Sequence, residues 1–177
     1  MATYALQFIS LANLAAPNLS EGSTEIPPNG AATFKGGDLV IVSGGTANNL
    51  TNGAVANLAL AYEDAVDTAY RAAGPGFGTT KPFVGVLDLN NREIIISAGG
   101  AAFSAATHVG ASRGVKIDAS GRSYIDLTDS TNLAFRIKRL LVLPLRDTVT
   151  GNFFLPKDGD TNVPVVAQAL TGIPAVI

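Results

Sequence analysis

The sequence predicts a mainly β protein, either a barrel or a sandwich, with one short helix inserted among the strands. Short β-prone runs alternate with clusters of glycine, asparagine, aspartate, serine and proline along most of the chain. About eight to ten short strands at this spacing are typical of barrels and sandwiches. The chain has 177 residues and no cysteine, so it must fold without disulfides, and a domain of this length buries roughly two-thirds of its unfolded surface.

The first 35 residues are expected to form an extended N-terminal arm, and residues 36–177 a single β-rich domain. The arm has one weak strand pattern at residues 6–11, followed by three prolines among small and polar residues. Such a composition is more typical of irregular loops than of core layers. Residues 171–177 are apolar and uncharged, and we expect them to form a C-terminal tail.

Turn-forming residues mark the ends of the strands in the domain. Residues 88–91 contain aspartate and two asparagines, which tolerate positive φ, so we predict that the strands on either side form a hairpin. Residues 118–121, which end in glycine, predict another turn. Strands are predicted at residues 39–42, 83–87, 93–97, 115–117, 123–127, 133–145, 153–155 and 163–170, with Pro144 stopping or bulging the longest of them.

One segment has the period of a helix. Apolar and small residues recur at helical spacing from residue 62, and charged residues occupy the other side. Gly74, Pro75 and Gly76 then provide a stop signal. We therefore predict a short helix near residues 64–73, whose inner face would comprise Tyr62, Ala65, Val66, Ala69, Tyr70 and Ala73.

Charge is scarce in this chain. Charged residues make up 15% of the sequence and apolar residues 47%, whereas ordinary soluble domains carry about 25% charged residues. A chain with so few charges favours burial of its surface in an oligomer or a larger assembly, with a compact, weakly charged monomer as the alternative. The net charge of −2 gives no general attraction to nucleic acid or to anionic membranes, and neither is expected as a partner.

No export or membrane-spanning signal is expected. There is no run of about 18 apolar residues. The first positive side chain is Lys35, whereas a signal peptide begins with a basic region.

Catalytic and metal-binding patterns do not emerge from the sequence. A hydrolase triad would need His108, the single histidine, as its base, and no Gly-x-Ser-x-Gly motif presents a nucleophile. We expect His108 to be exposed or to form a hydrogen bond. One histidine cannot build a zinc site, and residues 158–162 lack the spacing of a calcium loop. A glycosidase needs two carboxylates that face each other across a cleft. The aspartates of this chain fall mostly in turns, and the sequence indicates no such pair. We therefore expect that the chain is not an enzyme and that it binds neither a cofactor nor a metal ion.

The one cluster of positive charge is formed by Arg136, Lys138 and Arg139. In a strand, Arg136 and Lys138 share one face, while Phe135 and Ile137 share the other. The basic stripe could be an ordinary solvated face or a contact with an acidic protein surface, where arginine pairs with carboxylates. Nucleic acid is disfavoured because no aromatic residue lies among the charges.

Three short motifs resemble those of a known class of structural proteins. Residues 35–42 contain Gly-Asp-Leu-Val in a strand, and residues 58–64, Leu-Ala-Leu-Ala-Tyr-Glu-Asp, are similar to an Ala-Leu-x-Asp/Glu element. Residues 115–126 resemble a hairpin around Asp-Ala-Ser-Gly. Together these segments resemble the corresponding motifs of the capsid decoration (cement) proteins of tailed bacteriophages. The resemblance spans residues 35–143, and the insert at residues 61–81 and the extended ends depart from the compact members.

This resemblance implies a β-barrel or β-tulip-like domain that forms a trimer on the outer surface of an icosahedral shell and braces it against packaged DNA. The implied partners are the major capsid protein and further copies of the chain. The protein would be made in the host cytoplasm and would act on the virion. Contacts with the capsid or with neighbouring subunits are expected from Tyr4, Leu6 and Phe8 on the arm and from Arg136, Lys138 and Arg139 on the stripe.

Two other classes of protein remain open. One is another virion part, such as a head fibre base or a tail component, or an adhesin-like module that binds glycans. Glycan-binding proteins usually present exposed aromatic side chains to the sugar. This chain has no tryptophan, so the aromatic residues that could contact a sugar are Tyr62, Tyr70 and Tyr124. The other is a β-rich enzyme.

Overall fold

The computed structural model describes residues 10–11, 23–66, 83–90, 92–146 and 153–171. These residues are mainly β, as the sequence predicts. Their strands are β1 (Ser10–Leu11), β2 (Ser23–Ile26), β3 (Leu39–Ser43), β4 (Thr46–Asn49), β5 (Leu58–Ala61), β6 (Val84–Asp88), β7 (Glu93–Gly99), β8 (Ser112–Ile117), β9 (Ser123–Asp126), β10 (Phe135–Leu140), β11 (Leu145–Arg146), β12 (Phe153–Phe154) and β13 (Val163–Ala169), and their one helix is α1 (Ala105–His108).

Five strands close into a barrel. β7 pairs with β13, β13 with β10, β10 with β8 and β8 with β9, all antiparallel. The barrel closes because β9 pairs in parallel with the end of β7, where Ala98 lies opposite Ile125. The first half of the same edge of β7 pairs with β1. Closure leaves fewer unpaired backbone groups along the strands.

A second sheet has the strand order β2-β6-β5-β3-β4. A parallel bridge between Pro28 and Ala47 joins the segment after β2 to β4, at the opposite edge of the sheet. Of the described residues in the predicted arm, residues 23–35 therefore contribute to this sheet, where Ala32 and Phe34 are buried, and residues 10–11 pair with the barrel strand β7. Strands β2 and β4 are absent from the sequence-based prediction because their residues lack a clear β pattern. β5 lies within the element at residues 58–64 that the resemblance implies as a strand.

Two cores lie on opposite faces of the second sheet. Leu58 and Leu60 belong to the core that the sheet shares with the barrel, whereas Ala59 and Ala61 belong to a smaller core on the other face. The period of two in β5 places alternate side chains on these two faces. The smaller core also contains Ala47, and small side chains suit a region where the two edges of a sheet approach each other.

One predicted turn connects paired strands and the other does not. β8 and β9 are antiparallel neighbours, and the Asp118 side chain accepts hydrogen bonds from the backbone of Ser120 and Arg122, both at 2.8 Å. The hairpin predicted around residues 88–91 is wrong, because β6 belongs to the second sheet and β7 to the barrel. Leu89 is fully buried between them, so the chain crosses from one sheet to the other here.

The helix predicted near residues 64–73 falls mostly outside the described residues. Its first three residues are not helical. The backbone N–H of Ala65 donates to the carbonyl of Phe34 at 3.0 Å, which is a tertiary bond in place of a helical one. The described residues contain no helix of the length and apolarity that crossing a membrane requires.

Candidate functional site

The basic stripe lies on the outer face of β10. Arg136 and Lys138 are exposed, and the alternating residues Phe135 and Ile137 are fully buried in the barrel core. This alternation is the one that the sequence predicts. Arg139 is also exposed, although a regular strand would turn the residue after Lys138 towards the core.

A β-bulge explains the exposure of Arg139. Ile137 lies opposite Ala167 on β13, and Arg139 lies opposite Val166, so that Lys138 is an extra residue in the ladder. A bulge of this kind sets two residues of one strand against one residue of its partner. Lys138 and Arg139 therefore both face outward, and Leu140 returns to the core side. The bulge could not be read from the sequence.

None of the three cations has a described partner. Within the described residues, no ion pair or hydrogen bond involves the side chains of Arg136, Lys138 or Arg139. Like charges that lie side by side on a strand repel one another. The stripe is therefore a surface on which a partner with negative charge would be favoured.

Exposed apolar side chains follow the stripe directly. After β10 the chain passes through residues 141–144 into β11, which pairs with β12 in a separate two-stranded sheet. Phe153 is 69% exposed and Leu155 57% exposed, which are high values for large apolar side chains. We call the following set the basic–apolar face: Arg136, Lys138, Arg139, Val142, Leu143, Phe153 and Leu155.

The aromatic and apolar residues predicted on the arm cannot be compared with this face. Tyr4, Leu6 and Phe8 lie outside the described residues. The nearest described residues are Ser10 and Leu11, which pair with Ile95 and Ile94 on the outer edge of β7.

A cleft of about 340 Å³ lies between the second sheet and the β8–β9 turn. Its carboxylate, Asp38, accepts a hydrogen bond from the backbone of Lys35 at 2.7 Å. Nearby Asp64 accepts from the backbone of Gly36 at 2.8 Å and pairs with the Lys35 ammonium at 3.0 Å. Burial, together with the charge of Asp64, raises the pKa of Asp38. Both carboxylates hold the turn at residues 35–38, so their arrangement is explained by the fold.

His108 is buried at the end of α1. Its Nδ1 accepts a hydrogen bond from the backbone of Ser104 at 3.0 Å, and its ring lies 5.6 Å from that of Phe103. Burial, helped by the charge of Arg113, lowers the pKa of His108. The sequence predicts that His108 is either exposed or hydrogen-bonded. The structure shows that it is hydrogen-bonded and not exposed.

Metal ligands are not grouped in the part of the chain that the structure describes. No set of three or more histidine, cysteine, aspartate or glutamate side chains is arranged there to hold an ion. In the segment 158–162, the Asp158 carboxylate accepts from the backbone of Ala105 at the start of α1. Asp160 accepts from the backbone of Lys157 at 3.2 Å. These contacts make the segment a polar turn.

Two exposed aromatic residues, Tyr62 after β5 and Phe83 before β6, lie near the same end of the second sheet. Tyr62 packs over Gly85, where an added Cβ would lie 3.6 Å from its ring. Phe83, two residues before Gly85, is 56% exposed. Glu25 lies directly opposite Gly85 and on the same face, because opposed residues of antiparallel strands point the same way. Glu63, the next residue after Tyr62, is also exposed.

Comparison with protein families, with curated proteins and with solved structures finds no match for this chain.

Proposed function

We propose that this chain is a structural, non-enzymatic protein that decorates the outer surface of a tailed-phage capsid and stabilises the shell. The observation that carries the proposal is the basic–apolar face. It comprises three cations that lack described partners and, beyond the end of β10 along the chain, large apolar side chains that are exposed. Exposed apolar patches with polar neighbours mark interaction sites on soluble proteins. The motif resemblance between residues 35 and 143 supports this class of assembly.

In this proposal the partners are the major capsid protein and further copies of the chain, assembled as a homotrimer. A trimer would engage several capsid subunits at once, so that individually weak contacts sum to stable binding. Tyr4, Leu6 and Phe8 on the arm would contact the shell, and an extended arm can add a strand to a neighbouring sheet. The protein would be made in the host cytoplasm and act on the outer capsid surface.

The test uses the purified full chain and purified empty capsids of the source phage. Capsids are sedimented with and without the chain, and their melting temperature is measured by calorimetry. Saturable co-sedimentation with a higher melting temperature is expected. A variant that lacks residues 1–9 tests the arm's contribution. The proposal fails if the full chain neither sediments with capsids nor changes their melting temperature.

A glycan-binding role is the second candidate, favoured by one observation. Tyr62 and Phe83 are exposed near the same end of the second sheet, and Glu25 lies opposite Gly85, over which Tyr62 packs. Sugar rings are bound by aromatic side chains with polar groups at their edge. Tyr124 is partly buried on β9, and Tyr70 lies outside the described residues. A glycan array distinguishes the two functions. A glycan-binding protein should bind sugars on the array and lose that binding when Tyr62 is replaced, whereas a decoration protein should bind none.

A further inference from the structure

We infer that Asn29 is the site at which the folded chain undergoes spontaneous deamidation, and that the fold protects the second asparagine with the same reactive neighbour, Asn52. Three residues of the chain have an amide or carboxyl side chain directly before a glycine: Asn29, Asn52 and Asp158. The inference concerns the covalent chemistry of the chain and does not depend on the proposed function.

Deamidation begins when the backbone nitrogen of the residue after an asparagine attacks the side-chain carbonyl carbon. The new C–N bond closes a succinimide ring, and the side-chain nitrogen leaves as ammonia with the proton of the backbone nitrogen. Water then opens the ring at either carbonyl and gives aspartate or isoaspartate. The reaction consumes one water, releases one ammonia and needs no oxidant or cofactor. A following glycine favours the attack because it has no side chain to hinder it and its backbone turns freely.

The backbone N–H of the glycine differs between the three sites. Gly53 donates to the carbonyl oxygen of Val115 at 3.1 Å, and Gly159 donates to that of Phe103 at 2.8 Å. Within the described residues, the N–H of Gly30 forms no hydrogen bond. A nitrogen whose proton is held by a carbonyl oxygen must leave that bond, by local opening of the fold, before it can attack its neighbour. Of the three glycines, Gly30 alone can turn without this step.

The surroundings of Asn29 leave room for the ring to form. Asn29 and Gly30 are both exposed, and nothing lies within 4 Å of a Cβ placed on Gly30. At the protected site, a Cβ on Gly53 would lie 3.3 Å from the side chain of Asn132. The water that opens the ring can therefore reach residue 29 directly from solvent.

The side-chain oxygen does not distinguish the two asparagines. Oδ1 of Asn29 accepts a hydrogen bond from the backbone of Ala31 at 3.0 Å, and Oδ1 of Asn52 accepts one from the backbone of Ile117 at 2.8 Å. Such a donor stabilises the negative charge that this oxygen gains during the attack. Because both sites have one, the glycine N–H is the difference that sets the two rates apart.

Deamidation at residue 29 would weaken the junction between the two edges of the second sheet. The Asn29 backbone donates to the carbonyl of Ala47 at 2.8 Å, and its Nδ2 donates to Oδ1 of Asn48 at 2.9 Å, both on β4. A carboxylate has no proton to donate to Asn48. The Asn48 amide is held in its orientation, because its own Nδ2 donates to the carbonyl of Thr46 at 3.0 Å. The product therefore loses this hydrogen bond and sets two acceptor oxygens against each other.

The experiment incubates the purified full chain at mildly alkaline pH in water enriched in heavy oxygen. Ring opening incorporates one solvent oxygen, so each deamidated residue is labelled and can be located by peptide mapping with mass spectrometry. Label should accumulate at residue 29 at least about fivefold faster than at residue 52, which is the factor that one hydrogen bond of typical net strength gives.

The control is the same chain unfolded in urea. Both asparagines precede a glycine, so without the fold they should be labelled at nearly equal rates. The matched variant is Gly30→Ala, whose methyl group fills open space. It should slow the labelling of residue 29 and leave the rate at residue 52 unchanged. The melting temperature of the wild-type chain should fall as the labelled fraction at residue 29 rises.

The inference is overturned if the folded chain is labelled at residue 52 as fast as at residue 29, or if residue 29 is labelled only in urea. A preference for residue 29 that persists unchanged in urea would show that local sequence and not the fold sets the rates, and would overturn the protection of Asn52. Binding to capsids enters none of these outcomes, so the proposed function stands or fails separately.

Discussion

The ammonium group of Lys116 contacts the carboxylate of Asp126, a side chain that is 1% exposed, across the β8–β9 hairpin. Thr128 donates to the same carboxylate from its backbone N–H at 3.0 Å and from its hydroxyl at 2.6 Å. Burial alone would raise the pKa of Asp126, but the bonds from Lys116 and Thr128 outweigh it and lower the pKa. This pair fixes the part of the barrel where β9 joins β7.

Replacing Asp126 with asparagine is expected to lower the free energy of unfolding by about 2 kcal/mol at pH 7, because a buried charged partner is lost. The pKa of Asp126 is lower in the folded chain than in the unfolded chain. Its contribution is therefore present above the unfolded pKa near 4 and is lost as the pH falls through the folded pKa. Urea unfolding of wild type and D126N at pH 7 and at pH 2.5 measures both effects.

The difference between D126N and wild type should shrink at the lower pH. The control is E93Q, which changes an exposed carboxylate at the start of β7 and should alter stability by less than about 0.5 kcal/mol. A difference for D126N that is equal at both pH values would contradict the role of the charge.

Protonation of His108 is expected to destabilise the fold. Its pKa is lowered by burial and by Arg113, so the unfolded chain binds a proton more readily. Stability should be full above the unfolded pKa of about 6.5 and should decrease as the pH falls below it. Denaturant unfolding between pH 7.5 and pH 5.5 measures this decrease, which H108Q should abolish. An H108Q variant with the same pH dependence as wild type would refute the assignment.

Gly114 is expected to tolerate no side chain. A Cβ there would collide with the Asp129 carboxylate and would lie 2.9 Å from the carbonyl oxygen of Asn132. Gly114→Ala should therefore cost about 2 kcal/mol through overpacking. The matched control is Gly30→Ala, where nothing lies within 4 Å and stability should stay within about 0.5 kcal/mol of wild type. Thermal unfolding compares the two, and equal melting temperatures would count against this packing.

Truncating two neighbouring residues of β10 should change the free energy of unfolding by very different amounts. Ile137 is fully buried, so Ile137→Ala should cost about 3 kcal/mol. Arg136→Ala, on the outer face, should change the stability of the isolated subunit by less than about 0.5 kcal/mol. Urea unfolding at a concentration where the chain is monomeric makes the comparison. A large loss for Arg136→Ala would mean that its side chain stabilises the subunit itself.

Local features of this fold could be predicted from the sequence. The alternation of Phe135 and Ile137 with Arg136 and Lys138 gives the inner and outer faces of β10, because successive side chains of a strand point to opposite sides. The turn at residues 118–121 follows from the capping ability of Asp118. The mainly β class follows from many such short runs and turns. Each of these depends on residues that are adjacent in the chain.

The candidate site could be predicted only in part. The basic stripe is visible in the sequence, whereas the bulge at Lys138 depends on the register against β13. The exposure of Phe153 and Leu155 was missed because apolar β-prone residues are usually taken as core. The approach of Glu25 and Tyr62 to Gly85 requires β2 and β6 to be neighbours, and β2 has no clear strand pattern in the sequence.

The sequence by itself determined the fold class, the faces of β10 and the β8–β9 turn, because period and turn chemistry act over a few residues. Only the tertiary structure decided which strands are neighbours, as the failed hairpin at residues 88–91 illustrates. A turn can reverse the chain without pairing its flanking strands. Here β6 pairs with β2 and β5 in the second sheet, and β7 pairs with β13 in the barrel. Strands that are far apart in the chain become neighbours because their apolar faces are buried together, and no local sequence pattern indicates which strands will pair.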